Sequence, residues 1–107
     1  MPVIRIDFDD AKVTTYDVSA LSHAVQRIVS DTTNIEDVFV YANSAQVKVK
    51  IAPIEIFIQM SAHKIIDQDK LVSEIKSRLA LWKHENGFAH LINLTFVPMQ
   101  WKIEIGI

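Results

Sequence analysis

Residues 53–60 read PIEIFIQM, a proline followed by isoleucines at every second position. Proline is tolerated as the first residue of a strand, and strict alternation is typical of a strand with one buried face. Residues 3–8, VIRIDF, repeat the pattern, with Ile4, Ile6 and Phe8 on one side and Val3, Arg5 and Asp7 on the other. These two stretches therefore predict the two main strands of a sheet.

A helical pattern follows each of these strands. The first helix is predicted to begin with Asp17 as its N-cap and to end near Thr32, since a side-chain oxygen at the N-cap accepts backbone N–H bonds. The second is predicted to be capped by Asp67 or Asp69 and to stop at residues 86–87, Asn-Gly. The apolar positions at helical spacing are Val18, Leu21, Val25, Ile28 and Val29 in the first helix, and Leu71, Val72, Ile75, Leu79 and Trp82 in the second.

Four further segments have strand character. Residues 38–41 and 90–97 each follow a predicted helix, residues 46–51 alternate valines with Lys48 and Lys50 as a hairpin arm or edge strand, and residues 99–107 alternate again. The alternating lysines can attract an anion or protect an edge from pairing with another chain. Each element of the second half lies roughly 51 to 54 positions after its counterpart.

The predicted fold is a single α+β domain covering residues 1–107. It consists of duplicated β-α-β halves, about residues 1–51 and 52–107, that form a four-stranded mixed sheet with two helices on one face. A ferredoxin-like domain has the same βαββαβ order along the chain, so the order of strands in the sheet must separate the two folds.

Composition excludes several functions and indicates self-association. Half of the 107 residues are hydrophobic and only 22% are charged, and the mean hydropathy is +0.18. Such an apolar excess in a small domain usually becomes a subunit interface. A net charge of −2 favours neither nucleic acid nor an anionic membrane. The chain has no cysteine, and its N-terminus does not resemble a signal peptide, so we expect a cytoplasmic protein.

Pro2 is the residue with the clearest chemical potential. If Met1 is removed, the Pro2 nitrogen becomes a secondary amine at the start of a buried strand. Desolvation and nearby cations both disfavour its protonated form and lower its pKa toward neutrality, which suits a general base. The alternative is that Pro2 merely precedes a strand.

The opening MPVIRIDF, the duplicated order, PIEIFIQMS before the second helix and INLTFVPMQ near the end together resemble the tautomerase superfamily. The chain is similar to 4-oxalocrotonate tautomerase in its first half and to macrophage migration inhibitory factor in length and duplication. It is most similar to an uncharacterised bacterial tautomerase-like family. The resemblance implies a homotrimer with inward-facing sheets, pockets at subunit boundaries and no cofactor. It also implies a keto–enol tautomerase or isomerase that uses Pro2 as general base on a small carbonyl compound.

The resemblance also implies roles for other residues. The cation that the shorter tautomerases place after the first strand falls on Lys12, whereas the cation of their second strand falls on Phe39, which cannot hold a carboxylate. Arg5 can bind a substrate anion or pair with Asp7 or Glu55. Trp101 can line an aromatic pocket wall or serve as a packing or subunit contact.

No metal site is expected, because the histidines show no ligand spacing; they are His23, His63, His84 and His90. Two non-catalytic alternatives remain open. One is a small-ligand or regulatory module of ferredoxin-like fold, and the other is a tautomerase-fold oligomer that has lost activity and serves as an interaction scaffold.

Overall fold

The computed structural model describes residues 1–100, 102 and 104–107. The elements are β1 (Val3–Phe8), α1 (Thr15–Thr33), β2 (Phe39–Ser44), β3 (Ile54–Ser61), a 3₁₀ turn (Ala62–Lys64), α2 (Gln68–Glu85) and β4 (Asn93–Met99). The strands and the helix of the second half start 51, 53 and 54 residues after those of the first. This spacing matches the predicted duplication.

The strand order in the sheet is β2-β1-β3-β4. Strands β1 and β2 are parallel, β3 and β4 are parallel, and β1 and β3 are antiparallel at the centre. The two strands of each half are thus direct neighbours, whereas a ferredoxin-like sheet splits each βαβ unit with an intervening strand. The ferredoxin-like alternative is therefore wrong, and the predicted α+β sheet is confirmed.

The core lies between one face of the sheet and the two helices. Ile4, Ile6, Ile54, Ile56 and Ile58 are fully buried in the centre of the sheet. The buried helical residues of the same cluster are Val18, Leu21, Val25, Ile28, Val29, Ile75 and Leu79. The alternation read from the sequence thus separates a covered face from an uncovered face.

The helix ends show one wrong and one correct prediction. The N-cap of α1 is Thr14, whose Oγ1 accepts a hydrogen bond from the Asp17 backbone N–H at 3.1 Å. Asp17 instead lies within the first turn, where a carboxylate interacts favourably with the helix dipole. Asp67 is the N-cap of α2, and its Oδ1 accepts from the Lys70 N–H at 3.1 Å. The first helix therefore starts earlier than predicted because a threonine hydroxyl precedes it.

The predicted strand at residues 46–51 does not form. Val47 and Val49 are 84% and 98% exposed, and none of the ladders among the described residues includes this segment. A ladder of hydrogen bonds needs a neighbour, so alternation alone does not make a strand. Of the predicted tail strand at residues 99–107, Met99 is the last residue of β4, residues 100, 102 and 104–107 belong to no strand, and residues 101 and 103 lie outside the described residues. The strand predicted at residues 90–97 is β4, which begins at Asn93 rather than at residue 90.

None of the helices within the described part of the chain combines the length and the apolar character required to cross a bilayer.

Candidate active site at the Pro2 end of the sheet

Pro2 lies directly before β1 and is less than 2% exposed. Its carbonyl oxygen accepts a hydrogen bond from the Phe39 backbone N–H at 3.1 Å, which fixes it beside the start of β2. While Met1 is attached, the Pro2 nitrogen is an amide, and its lone pair is delocalised into the carbonyl. The position is therefore buried and fixed, but the nitrogen can act as a base only after Met1 is removed.

The end of β3 forms the other side of this region. Val3 pairs with Gln59 in the antiparallel ladder, so β3 continues past the start of β1 through Met60 and Ser61. Ser61 is 5% exposed, and its Oγ lies 2.6 Å from Nδ1 of His63. The sequence analysis did not pair these two residues, because their contact depends on the turn that follows β3.

Phe39 is the first residue of β2 and pairs with Val3. Its side chain is 43% exposed and adds an apolar surface near Pro2. At this position the chain has an aromatic ring where the resemblance implies a cation. His63 and Lys64, both exposed, are the basic residues of the turn that ends nearby.

Lys12 lies at the opposite end of β1. It is exposed and follows the strand by four residues, with its backbone N–H donating to the Asp9 carbonyl at 3.0 Å. The six residues of β1 span roughly 20 Å. Lys12 and Pro2 of one chain are thus too far apart to hold the same small molecule.

Arg5 occupies the middle of β1. Its Nε lies 3.2 Å from Oδ2 of Asp7, and its guanidinium carbon is 4.5 Å from the centre of the Phe57 ring. Both charged side chains are about half exposed, so the ion pair adds little to stability. The structure thus shows the pairing with Asp7 rather than Glu55, and a substrate-binding role for Arg5 stays a prediction. Trp101, the remaining site candidate, lies outside the described residues.

The face of the sheet opposite the helices carries several large apolar side chains. We call it the open face; it includes Val3, Phe39, Tyr41, Phe57 and Val97, which the strand register places on this side. Phe39 and Tyr41 are 43% and 58% exposed. The same face also carries Arg5, Asp7 and Glu55, so its apolar side chains form a patch rather than a continuous surface; exposed apolar patches are common where another protein chain binds.

At the far end of β1, Lys48 joins two carboxylates. Its Nζ donates to Asp9 Oδ1 at 3.1 Å and also to Asp10, while Asp9 Oδ1 accepts from the Ala11 N–H at 3.0 Å. The Ala11 N–H and then Lys48 hold the pKa of Asp9 below its usual value. The bonds to Asp10 and Asp9 raise the pKa of Lys48. This contact ties the 46–51 segment to the loop after β1.

Beside this contact, a cavity of about 460 Å³ lies between the ends of β1 and β2 and residues 50–52. Its charged lining consists of Asp7, Lys50 and Glu55. Asp7 and Glu55 face each other across the ladder, and Glu55 accepts a hydrogen bond from Asn93 Nδ2 at 3.2 Å. The cavity is therefore at the Lys12 end of the sheet, away from Pro2.

The Lys48 contact predicts a pH dependence of stability. A carboxylate with a lowered folded pKa stabilises the fold above its unfolded pKa of about 3.9, and this contribution is lost as the pH falls through the folded value. Lys48, with a raised pKa, stabilises below about 10.4, and its contribution is lost as the pH rises through the folded value. Asp9→Asn, which keeps the acceptor for Ala11, is expected to lower the melting temperature at pH 7 and to have little effect near pH 2.

Thermal melts of both proteins across this pH range test that expectation. Asp31→Asn, which changes an exposed carboxylate on α1, is the matched control. An Asp9→Asn protein with the same melting temperature as the wild type at pH 7 would show that the contact does not stabilise the fold.

No family model and no curated protein sequence matches the chain. Solved structures do match its fold. Malonate semialdehyde decarboxylase aligns with a TM-score of 0.70 and 10% identity, over 98% of this chain and 92% of that one. The macrophage migration inhibitory factor-like protein of Entamoeba histolytica aligns with a TM-score of 0.64 and 18% identity, over 96% and 95% of the two chains.

A third match, the fused 4-OT F6 described as an asymmetric trimer, has a TM-score of 0.63 and 10% identity, over 94% of this chain and 91% of that one. These proteins share little sequence with the chain, but each alignment covers nearly all of both structures. The similarity includes both halves and the mixed sheet. The chain therefore has the tautomerase/MIF-like fold.

Proposed function

We propose that the chain is a cofactor-independent keto–enol tautomerase in which the freed Pro2 nitrogen acts as general base on a small carbonyl compound. The observation that carries this proposal is the position of Pro2, which is buried directly before the central strand β1 of a tautomerase/MIF-like fold. A buried amine is less readily protonated, which leaves its lone pair available near neutral pH.

The reaction moves one proton and changes no oxidation state. The Pro2 nitrogen takes a proton from the carbon next to the carbonyl, so that a C–H bond breaks, an N–H bond forms and the electron pair moves to the carbonyl oxygen. The same nitrogen then gives this proton to the oxygen, which yields the enol; ketonisation runs these steps in reverse, with the proton taken from the enol hydroxyl and delivered to carbon. A cation near the oxygen stabilises the intermediate charge.

We propose Lys12 for that second role, supplied by a neighbouring copy. Lys12 is roughly 20 Å from Pro2 along β1 of its own chain, so only the Lys12 of another copy can serve the same site. This arrangement requires a homo-oligomer, and we propose a trimer with the open faces inward. The trimer described for the fused 4-OT and the apolar side chains of the open face support this assembly.

Phe39 limits which substituents a substrate can carry beside Pro2. An exposed aromatic ring beside Pro2 favours an apolar or aromatic substituent over a second carboxylate at that position. A small aromatic keto acid such as phenylpyruvate therefore suits the site better than a dicarboxylate.

The test compares protein that starts at Pro2 with protein that retains Met1, with intact mass used to verify each preparation. We expect ketonisation of enol-phenylpyruvate to be about 10² to 10⁴ times faster with the exposed Pro2, because only that form carries a basic amine. Pro2→Ala, which leaves a primary amine, should be slower than Pro2 but still folded.

Equal rates for these three proteins would contradict the proposal. They would favour the second possibility, a non-catalytic oligomer of the same fold, which the replacement of a cation by Phe39 also supports.

A further inference from the structure

Ser61 and His63 form a hydrogen-bonded pair at the end of β3. Ser61 is buried and its Oγ lies 2.6 Å from His63 Nδ1, while the imidazole is exposed. A serine before a helical turn commonly caps it, but the Ser61 side chain makes no capping bond to the 3₁₀ turn that follows. Its hydroxyl is held by His63 instead, and the pair connects the interior with solvent.

The register of β1 and β3 relates this pair to Pro2. Val3 faces Gln59 in the last pair of the antiparallel ladder, and extending the same register by one and two residues would place Pro2 opposite Met60 and Met1 opposite Ser61. Cα atoms of facing residues are about 4.5–5.5 Å apart. In this extended register, removal of Met1 would vacate the space that faces Ser61 and would leave the Pro2 nitrogen at its border.

We propose that Ser61 and His63 form a proton relay between the Pro2 nitrogen and solvent. This inference rests on the proposed function, because the proton that the Pro2 nitrogen holds between its two transfers can exchange with solvent only through neighbouring groups. Neither residue is assigned a direct contact with the substrate, so both are positioning and relay groups.

Each group in the relay gives up one proton for every proton that it receives. The protonated Pro2 nitrogen gives a proton to Ser61 Oγ as the Ser61 hydroxyl proton passes to His63 Nδ1. The exposed Nε2 of the resulting imidazolium then releases its proton to water, and rotation or exchange restores the tautomer in which Nδ1 accepts from Ser61. The reverse sequence reprotonates Pro2.

A first experiment measures the coupling of His63 to the Pro2 nitrogen without requiring turnover. Protein that starts at Pro2 is treated with iodoacetamide across a pH range, and modification of the Pro2 nitrogen is followed by mass spectrometry of the N-terminal peptide. The pH profile of modification is expected to show two ionisations in the wild type, because a positively charged His63 imidazolium disfavours protonation of the Pro2 nitrogen. The two groups form a coupled pair. His63→Asn should remove one ionisation and change the rate near neutral pH about tenfold, the effect of one pK unit.

Ser61→Ala keeps the His63 imidazole and should retain both ionisations, because the profile reports the charge of His63; its effect is expected in the deuterium measurement described below. Ser61→Thr keeps the hydroxyl and should retain the wild-type profile. His23→Asn is the matched control, since His23 is an exposed α1 residue whose Nδ1 contacts the Ser19 carbonyl of its own helix at 2.8 Å.

A His63→Asn profile equal to the wild-type profile, or an unchanged return of deuterium by Ser61→Ala in the measurement that follows, would overturn the relay. A second measurement uses phenylpyruvate deuterated at the carbon next to its carbonyl, in ordinary water. The variants are expected to return more of the deuterium to substrate than the wild type, since their Pro2 exchanges protons with solvent more slowly.

These two measurements separate the two proposals. An absence of phenylpyruvate turnover together with a His63-dependent modification profile would refute the tautomerase activity and support the coupling of the pair to Pro2. Turnover that depends on Pro2, with an unchanged profile in His63→Asn, would support the activity and refute the relay.

Discussion

Val97→Asp is expected to prevent the proposed trimer from forming and to leave the protein as a monomer. Val97 is a partly buried residue of β4 on the open face, and it pairs with the uncharged Gln59. Burial of an unpaired carboxylate in an apolar interface costs several kcal/mol. Each tenfold change in affinity corresponds to about 1.4 kcal/mol, so association should weaken by a factor of 100 or more.

Light scattering at micromolar concentration provides the measurement. The wild type should have three times the 12.2 kDa mass of one chain, and Val97→Asp should have the mass of one. Leu81→Asp is the control, because Leu81 is an apolar residue of α2 that is 57% exposed and does not lie on the open face. A wild type that is already monomeric, or a Val97→Asp protein of unchanged mass, would show that the open face is not the interface.

Lys12→Ala is expected to have the second large effect, on catalysis. Loss of a positioned group that stabilises a developing oxyanion costs about 2–4 kcal/mol, which is about a 30- to 1000-fold loss in kcat/KM with phenylpyruvate. Lys76→Ala, which removes an exposed lysine from α2, should leave the rate unchanged.

Mixed oligomers test whether Lys12 acts across the subunit boundary. Pro2→Ala and Lys12→Ala proteins that are unfolded and refolded together should recover part of the wild-type rate, because some sites then combine an intact Pro2 with an intact Lys12 from another copy. Unchanged activity of Lys12→Ala alone, or mixed oligomers no more active than the sum of the two variants, would exclude this role.

The sequence predicts the central strands well because their pattern is local. In VIRIDF and IEIFIQM the alternation of isoleucine with polar residues directly reflects one covered face, and β1 and β3 occur at the predicted positions. Residues 46–51 have similar alternation but pair with no strand in the described part of the chain, and Lys48 instead bonds to Asp9 and Asp10. Pairing partners are a property of the fold and cannot be read from alternation.

The candidate site shows the same limit. Pro2 could be identified from its position after Met1, and Phe39 from the strand in which it lies. The contact between Ser61 and His63 could not be predicted, because it depends on the chain turning immediately after β3. The separation of Pro2 and Lys12 likewise could not be predicted, because it depends on β1 running as an extended strand between them. A short sequence thus shows which side chains have useful chemistry, but the register decides which of them meet.

The pH dependence of kcat/KM for phenylpyruvate, measured on protein that starts at Pro2 and on protein that retains Met1, tests the role of Pro2 most directly. The account predicts that the rate with Pro2 exposed rises with pH to a plateau, with a midpoint near neutrality, as expected for a general base matched to its working pH. It also predicts that this rise is absent when Met1 is retained. A flat profile for the first protein, or the same profile for both, would contradict the assignment of Pro2 as the base.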